Sequence, residues 1–259
     1  MVLAKNALVT GSTSGIGLAI ARALAAEGCN VMLNGFGKPE EITSLCNELA
    51  AFGNKVLYNA ANMMIPAEIA GLIKDCQDRL GTLDILVNNA GVQHTAPLEE
   101  FEPEQWDRII AINLTSAFHT SRLVLDGMKR NNWGRIINMA SVHGLVASVN
   151  KAAYVASKHG MVGLTKVVAL ETAEYNVTCN AICPGWVRTP LVEKQIEDLA
   201  NDTNLNLDEA TIRLLTEKQP SKRFVETDQI AALVIFLCSQ SACNISGIAL
   251  PIDGGWIAR

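Results

Sequence analysis

The stretch "NALVTGSTSGIGLAIARALAAEG", from Asn6 to Gly28, decides the fold. A short apolar run typical of a buried strand leads into a turn with Gly11, Gly15 and Gly17, and a segment with helical spacing of apolar residues follows. Glycines permit positive φ and close backbone approach, and the next helix offers amide donors to an anion. A tight turn alone would explain such glycines, but their place between strand and helix favours a phosphate-binding loop.

The same alternation of strand and helix continues along the chain. Apolar, β-branched segments recur, and segments with helical periodicity separate them. The predicted strands begin near Asn6, Asn30, Lys55, Leu83, Gly134, Val177 and Gly247. This order predicts an α/β fold with a doubly wound parallel sheet of about seven strands, whose ligands bind beyond the carboxyl ends of the strands.

Composition narrows the class of protein. A chain of 259 residues with 49% hydrophobic and 18% charged residues predicts one globular domain over residues 1–259. The net charge of -5, without a Lys/Arg cluster, argues against nucleic acid as a partner. The seven cysteines lack metal-site spacing, so we expect reduced thiols, no bound metal and a cytoplasmic location. No segment is apolar for long enough to span a bilayer.

One charged segment breaks the alternation of strands and helices. Residues 189–224, "TPLVEKQIEDLANDTNLNLDEATIRLLTEKQPSKRF", are helical in pattern and lie between the sixth predicted strand and the last helix. Their position over the strand ends predicts a lid on the substrate site. A surface excursion without a functional role is the alternative.

Further motifs place the chain in a family. They are "NNAG" at Asn88–Gly91, Asn113, Ser141 after the fifth strand, Tyr154 and Lys158 in a Tyr-x-x-x-Lys pattern, and "PGWVRTP" at Pro184–Pro190. With the G-x-x-x-G-x-G turn, they resemble the short-chain dehydrogenase/reductase family in order over nearly the whole chain. The resemblance implies a Rossmann-type fold, a nicotinamide cofactor and hydride transfer at an alcohol carbon.

The resemblance also implies which residues bind the cofactor. They are Gly11, Thr13, Ser14, Gly15, Ile16, Gly17, Phe36, Asn62, Asn89, Ala90, Gly91, Tyr154, Lys158, Pro184, Gly185, Val187 and Thr189. The family's usual acid after the second strand is replaced by "NGFG" at Asn34–Gly37, and Asn62 stands where an acidic residue would face the adenine. Because neither "GSTSGIG" nor "NGFG" contains a cation for a 2'-phosphate, we expect NAD rather than NADP.

The predicted catalytic group is Asn113, Ser141, Tyr154 and Lys158. Tyr154 and Lys158 are four apart and share a helix face. A phenol has a pKa of ~10, and we expect the ammonium, reinforced by an oxidised nicotinamide, to lower it by about one to three units. Tyr154 would then act as general base while Ser141 binds the substrate oxygen. By resemblance, Asn113 bends its helix and relays protons from Lys158.

Lys151 and His143 are the candidates for substrate recognition. Lys151 is three residues before Tyr154, and His143 is two after Ser141, so both should border the same pocket. A cation there suits an anionic substrate, and a carboxylate is the small anion that pairs with it. A solvated lysine at a helix start is the alternative for Lys151.

Four other residues complete the predicted substrate pocket. Gln93 and Gln195 offer amide groups that bind a carboxylate without adding charge. Trp186 and Trp256 are either apolar walls for a short carbon chain or plain core.

The segments "NGFG", "GVQHTA", "SVHGLVASVNKAAYVASKHG", "NAICPGWVRTPLVEKQI", "EKQPS" and "DGGWIAR" resemble those of family members that oxidise D-3-hydroxybutyrate to acetoacetate with NAD. This resemblance implies that Gln93, His143, Lys151 and Gln195 bind the carboxylate. It also implies a homotetramer packed through helices at Gln105–Arg130 and Ala153–Ala173. A reductase of a 3-oxoacyl thioester or a sugar, and a non-catalytic nucleotide sensor, are the alternatives.

Overall fold

The computed structural model describes residues 4–258. Seven parallel strands form one sheet in the order β3-β2-β1-β4-β5-β6-β7, which confirms the predicted fold class. The strands are β1 (Asn6–Val9), β2 (Asn30–Asn34), β3 (Val56–Asn59), β4 (Ile85–Asn88), β5 (Gly134–Met139), β6 (Val177–Pro184) and β7 (Ala249–Ile252). Because β1 pairs with both β2 and β4, the winding direction reverses at β1 and opens a crevice at the carboxyl ends.

Helices cover both faces of the sheet. They are α1 (Gly15–Ala26), α2 (Pro39–Ala50), α3 (Pro66–Leu80), α4 (Pro103–Ile110), α5 (Ser116–Arg130), α6 (Ala152–Glu171), α7 (Pro190–Thr203), α8 (Leu207–Lys218) and α9 (Thr227–Cys238). Side chains of a strand alternate between faces, so Ala7 and Val9 pack with α1 and α9, whereas Leu8 packs with α3 and α5. Burial on both faces explains the continuous apolar runs of the strands.

The carboxyl ends of the strands bring the conspicuous polar segments together. The glycine turn follows β1, Asn34 ends β2, the "NNAG" segment ends β4, Ser141 follows β5 and the "PG" pair ends β6. A π-helical turn at Ala111–Thr115 separates α4 from α5 and confirms that the helix around Asn113 is interrupted.

Residues 189–224 contain α7 and α8, joined at Asn204 in the left-handed conformation. Val192, Ile196 and Ala200 of α7 pack against Ala210 of α8, and Trp186 lies against this cluster. The helical pattern predicted for the segment is confirmed. Within residues 4–258, no helix is long and apolar enough to cross a membrane. Within the described part of the chain, the seven cysteines form no disulfide.

Candidate active site

The glycine turn after β1 has the geometry of an anion cradle. Gly11 and Gly15 have φ values of +61° and +55°. A Cβ on Gly17 would lie 2.3 Å from the Gly11 carbonyl oxygen, so the third residue of α1 must be glycine at this close approach. Ser14 precedes α1 without capping it through its side chain, so the amides of the first turn remain available to a ligand.

A cleft of about 630 Å³ opens from this turn and extends to Tyr154 and Lys158. Its lining includes the predicted residues Gly11, Thr13, Ser14, Gly15, Ile16, Gly17, Phe36, Asn62, Asn89, Ala90, Gly91, Tyr154, Lys158, Pro184 and Thr189. Gly185 and Val187, also predicted for the cofactor, line a smaller adjoining cavity instead, because the chain turns away after β6 and Val187 pairs with Val225. Arg108 lines the cleft too, and no motif in the sequence pointed to it.

Two asparagines of the cleft hold its walls in place. The Asn34 side chain is buried, and its Oδ1 accepts from the Gly11 amide (3.3 Å). Its Nδ2 donates to the carbonyls of Asn59 (3.1 Å) and Ala61 (2.9 Å), which a carboxylate could not do. Asn89 Nδ2 donates to the carbonyl of Gly11 (2.9 Å). Asn34, which stands in place of the family's usual acid, therefore links the segments at the ends of β1, β2 and β3.

The neighbouring cleft residues leave surface for a nucleotide. The Phe36 side chain is 69% exposed, and its carbonyl accepts from Thr13 Oγ1 (2.8 Å). Asn62 Oδ1 accepts from the Met64 amide (3.0 Å). A glycine cradle at a helix N-terminus, followed by a long cleft, fits a dinucleotide, with its pyrophosphate at Gly11–Gly17.

Tyr154 and Lys158 lie one turn apart on α6, as the spacing predicts. The Lys158 Nζ is 5.5 Å from the centre of the Tyr154 ring and donates to the Met139 carbonyl (2.7 Å). Lys158 is buried, and burial lowers its pKa to about 8. Tyr154 lines both the large cleft and the smaller cavity, whereas Lys158 lines the cleft.

The pKa of Tyr154 departs from the sequence expectation. Burial raises this pKa, and a hydrogen bond with Ser141 opposes the rise. The expected lowering of this pKa needs both Lys158 and an oxidised nicotinamide; in the protein alone, burial dominates and the Lys158 ammonium bonds to the Met139 carbonyl. Tyr154 is thus a proton donor in this environment and needs further positive charge to become a base.

Asn113 is fully buried in the π-helical turn. Its Oδ1 accepts from the Val92 amide (2.8 Å), and its Nδ2 donates to the Val92 carbonyl (2.9 Å) and to Ser157 Oγ (3.3 Å). A Cβ on Gly91 would lie 3.6 Å from Asn113 Oδ1 and 3.7 Å from Lys158 Nζ, so both polar atoms border Gly91. Asn113 is therefore placed beside Lys158.

The smaller cavity begins at Ser141. Its Oγ accepts from the His143 amide (3.2 Å) and lies 3.4 Å from His143 Nδ1. His143 Nε2 lies 2.9 Å from Ser148 Oγ, a partner that the sequence did not indicate. Burial, with a smaller contribution from the charge of Lys151, lowers the pKa of His143 to about 3. His143 is therefore a neutral hydrogen-bonding group at physiological pH.

Lys151 immediately precedes α6 and lines this cavity. Its Nζ lies 5.2 Å from the centre of the Trp186 ring. Burial, and secondly the charge of Lys218, lower the pKa of Lys151 to about 8. The structure thus disfavours the solvated alternative and places a cation in the wall of a cavity.

The cavity has a volume of about 110 Å³. Gln93 and Gln195 line it together with Ser141, His143, Lys151 and Tyr154. Trp186 and Trp256 close one side with ring centres 5.6 Å apart, and Trp256 also stands edge-on to His143 at 5.5 Å. Trp186 Nε1 is buried and has no hydrogen-bond partner within the described residues.

Residues 5–200 match the profile of a family described as short chain dehydrogenase. The chain belongs to the short-chain dehydrogenase family. This match confirms the resemblance drawn from the motifs and makes the protein an oxidoreductase.

Other short-chain dehydrogenases are similar over the full chain. A protein named D-beta-hydroxybutyrate dehydrogenase from Cupriavidus necator is 56% identical over 259 residues, with 100% of both chains covered. One of the same name from Rhizobium meliloti is 52% identical and covers 99% of this chain and 100% of its own. A solved variant of actinorhodin polyketide ketoreductase with NADPH superposes with a TM-score of 0.91 at 37% identity, covering 98% of this chain and 97% of that one.

Proposed function

We propose that the protein oxidises D-3-hydroxybutyrate reversibly to acetoacetate with NAD. The observation that carries this proposal is Lys151, a cation in the wall of a small cavity that also contains Ser141 and Tyr154. A carboxylate pairs with such a cation while the hydroxyl group a few bonds away reaches Ser141 and Tyr154. The relatives that bear the name of this activity align with the chain end to end.

The size and polarity of the cavity support a short acid. Its space of about 110 Å³, against about 630 Å³ in the cleft, suits a short acid rather than an acyl thioester. Trp186 and Trp256 offer apolar surface to a methyl end. The amides of Gln93 and Gln195 offer donors to carboxylate oxygens.

Each polar group near Tyr154 has a role in the proposed oxidation. Ser141 Oγ binds the substrate hydroxyl, and Tyr154 Oη removes its proton. Lys158 stabilises the phenolate form of Tyr154 that accepts this proton, and Asn113 belongs to the path that then carries the proton from Tyr154 to solvent. Lys151 anchors the carboxylate, and neutral His143 orients Ser141 and the acid. NAD held in the cleft would supply the hydride acceptor for the alcohol carbon and a positive charge near Tyr154.

The choice of NAD is part of the proposal. The side chain of Asn34 already makes internal hydrogen bonds. Neither residues 11–17 nor residues 34–37 contain a cation that could bind a 2'-phosphate. Arg108, on α4, also lines the cleft and carries a positive charge. If Arg108 bound a 2'-phosphate, the variant Arg108→Gln would lose NADP use selectively. We expect this variant to leave the preference for NAD unchanged.

The lid, the assembly and the location are also proposals. Closure of residues 189–224 would press Gln195 onto the acid and expel water. Exposed Phe118, Val167 and Leu170 on α5 and α6 support a homotetramer packed through these helices. Sedimentation equilibrium tests the tetramer. The cytoplasmic location stays a prediction from the reduced cysteines.

The proposal is tested by following NADH formation with purified protein. D- and L-3-hydroxybutyrate, lactate and 3-hydroxybutyramide are each offered with NAD and with NADP. We expect the D-acid with NAD to give the highest kcat/KM. Equal turnover of the neutral amide would contradict the anion pocket, and preference for NADP would contradict the cofactor assignment.

A further inference from the structure

Gln219, in the "EKQPS" segment, is a fully buried residue at the end of α8 to which the proposed reaction assigns no role. Its backbone amide donates to the Leu215 carbonyl (2.8 Å), and the chain then leaves the helix in an extended conformation. The side chain is bonded at both ends. Oε1 accepts from the Trp186 amide (2.9 Å), and Nε2 donates to the Arg223 carbonyl. Gln219 therefore joins the base of the predicted lid to the chain after β6.

The main chain of Trp186 is held from both sides by residues 219–225. Its N–H donates to Gln219 Oε1, and its carbonyl accepts from the Val225 amide (2.8 Å). Val187 continues this pairing with a bridge to Val225. The position of the Trp186 indole against Lys151 and Trp256 thus depends on these bonds.

The same glutamine also contacts the turn that carries Trp256. A Cβ on Gly254 would lie 2.9 Å from Gln219 Cγ, and a Cβ on Gly185 would lie 2.6 Å from Gln219 Oε1. The Ser221 amide donates to the Gly254 carbonyl (3.0 Å). Gln219 is therefore wedged between the two backbone segments that present Trp186 and Trp256 to the cavity.

We propose that Gln219 is a positioning residue that sets acid specificity by fixing the distance between the two tryptophan-bearing segments. The inference rests on the proposed function, because it assigns Gln219 to the cavity for the short acid. Gln219 itself lines neither the cavity nor the cleft, but Gly185 and Trp186, which it contacts, line the cavity, so its effect should fall on the acid and not on the nucleotide.

Two variants of Gln219 separate positioning from general stability. Gln219→Met keeps the approximate length and removes both hydrogen bonds, whereas Gln219→Glu keeps the acceptor for the Trp186 amide. Loss of a buried hydrogen bond predicts a rise of roughly tenfold in KM for D-3-hydroxybutyrate and in Ki for the inert acid butyrate in Gln219→Met. We expect kcat and the affinity for NADH, measured by fluorescence, to change less than about twofold. Gln219→Glu should recover most of the acid affinity.

Selectivity and a matched control complete the test. Gln219→Met should also reduce the preference for D-3-hydroxybutyrate over D-3-hydroxyhexanoate, because the wall is no longer fixed. Gln77→Met, on the exposed surface of α3, should change none of these quantities.

Equal losses of acid and NADH affinity in Gln219→Met, or equal effects of Gln219→Met and Gln219→Glu, would overturn the positioning role. Measurements on the wild type distinguish a failure of the proposed function from a failure of the inference about Gln219. If it does not prefer the acid over 3-hydroxybutyramide, the proposed function is wrong. If it does, and Gln219→Met keeps the same KM and chain-length preference, only the inference about Gln219 is wrong.

Discussion

The cofactor cleft and the acid cavity meet at Tyr154 but are built differently. The cleft, about 630 Å³, is lined largely by backbone and small side chains that follow β1, β2 and β4. The cavity, about 110 Å³, is lined by Lys151, His143 and two tryptophans from elements far apart in the chain. The cleft thus follows from the sheet and its glycine turn, whereas the cavity depends on individual side chains. Substitutions in the two regions should therefore have separable effects.

Tyr154 belongs to both regions, and its loss should have the largest effect. Tyr154→Phe removes the group that exchanges the substrate proton, so we expect kcat to fall on the order of 10³-fold. Binding of NADH and of butyrate should persist, since the ring remains. Fluorescence titration and initial rates measure the two effects. Turnover within tenfold of the wild type would show that another group is the base.

Lys151→Met should damage the cavity and spare the cleft. It removes the cation and keeps an apolar side chain, so we expect kcat/KM for D-3-hydroxybutyrate to fall about 10- to 100-fold. The dissociation constant of NADH should stay the same. Lys194→Met, on the exposed side of α7, is the matched control. A similar loss in the control, or weaker NADH binding in Lys151→Met, would contradict the separate effects expected for the cavity and the cleft.

The pH dependence of acid binding should also belong to the cavity. The pKa of Lys151 is lowered to about 8, so its ammonium is present below this pH and is lost as the pH rises through it. We expect the Ki of butyrate to increase by about tenfold per pH unit above the pKa. Lys151→Met should make the Ki nearly independent of pH in this range. A dependence that survived the substitution would point to Lys158 instead, whose pKa is also about 8.

Trp256→Leu should produce a smaller change, confined to the preference for the carbon-chain length of the acid. The indole closes the cavity against His143 and Trp186, so its truncation makes room for a longer acid. We expect kcat/KM for D-3-hydroxyhexanoate to rise about fivefold relative to that for D-3-hydroxybutyrate. This factor corresponds to the free energy of burying one or two further methylene groups. An unchanged ratio would mean that Trp256 is plain core.

The cleft was more predictable from the sequence than the cavity. Strand periodicity and the glycine turn are local signals, so they gave the sheet and the positions of Gly11, Gly15 and Gly17. Lys151 and His143 could be placed because they share a short segment with Ser141 and Tyr154.

Contacts between distant segments could not be predicted. Arg108 reaches the cleft from α4, and Gln219 reaches Trp186 from the end of α8, without a local pattern. The position of Gly185 and Val187 in the wall of the smaller cavity likewise depends on the pairing of the chain after β6 with Val225. The direction of the Tyr154 pKa shift depends on burial, which spacing does not reveal.

The central claim is that Lys151 binds the carboxylate of the substrate and that the cleft takes no part in this recognition. The most direct measurement is kcat/KM for D-3-hydroxybutyrate and for neutral D-3-hydroxybutyramide in the wild type and in Lys151→Met. We predict that the wild type prefers the acid by about 10- to 100-fold and that Lys151→Met loses most of this preference. The same ratio of acid to amide in both proteins would contradict the account.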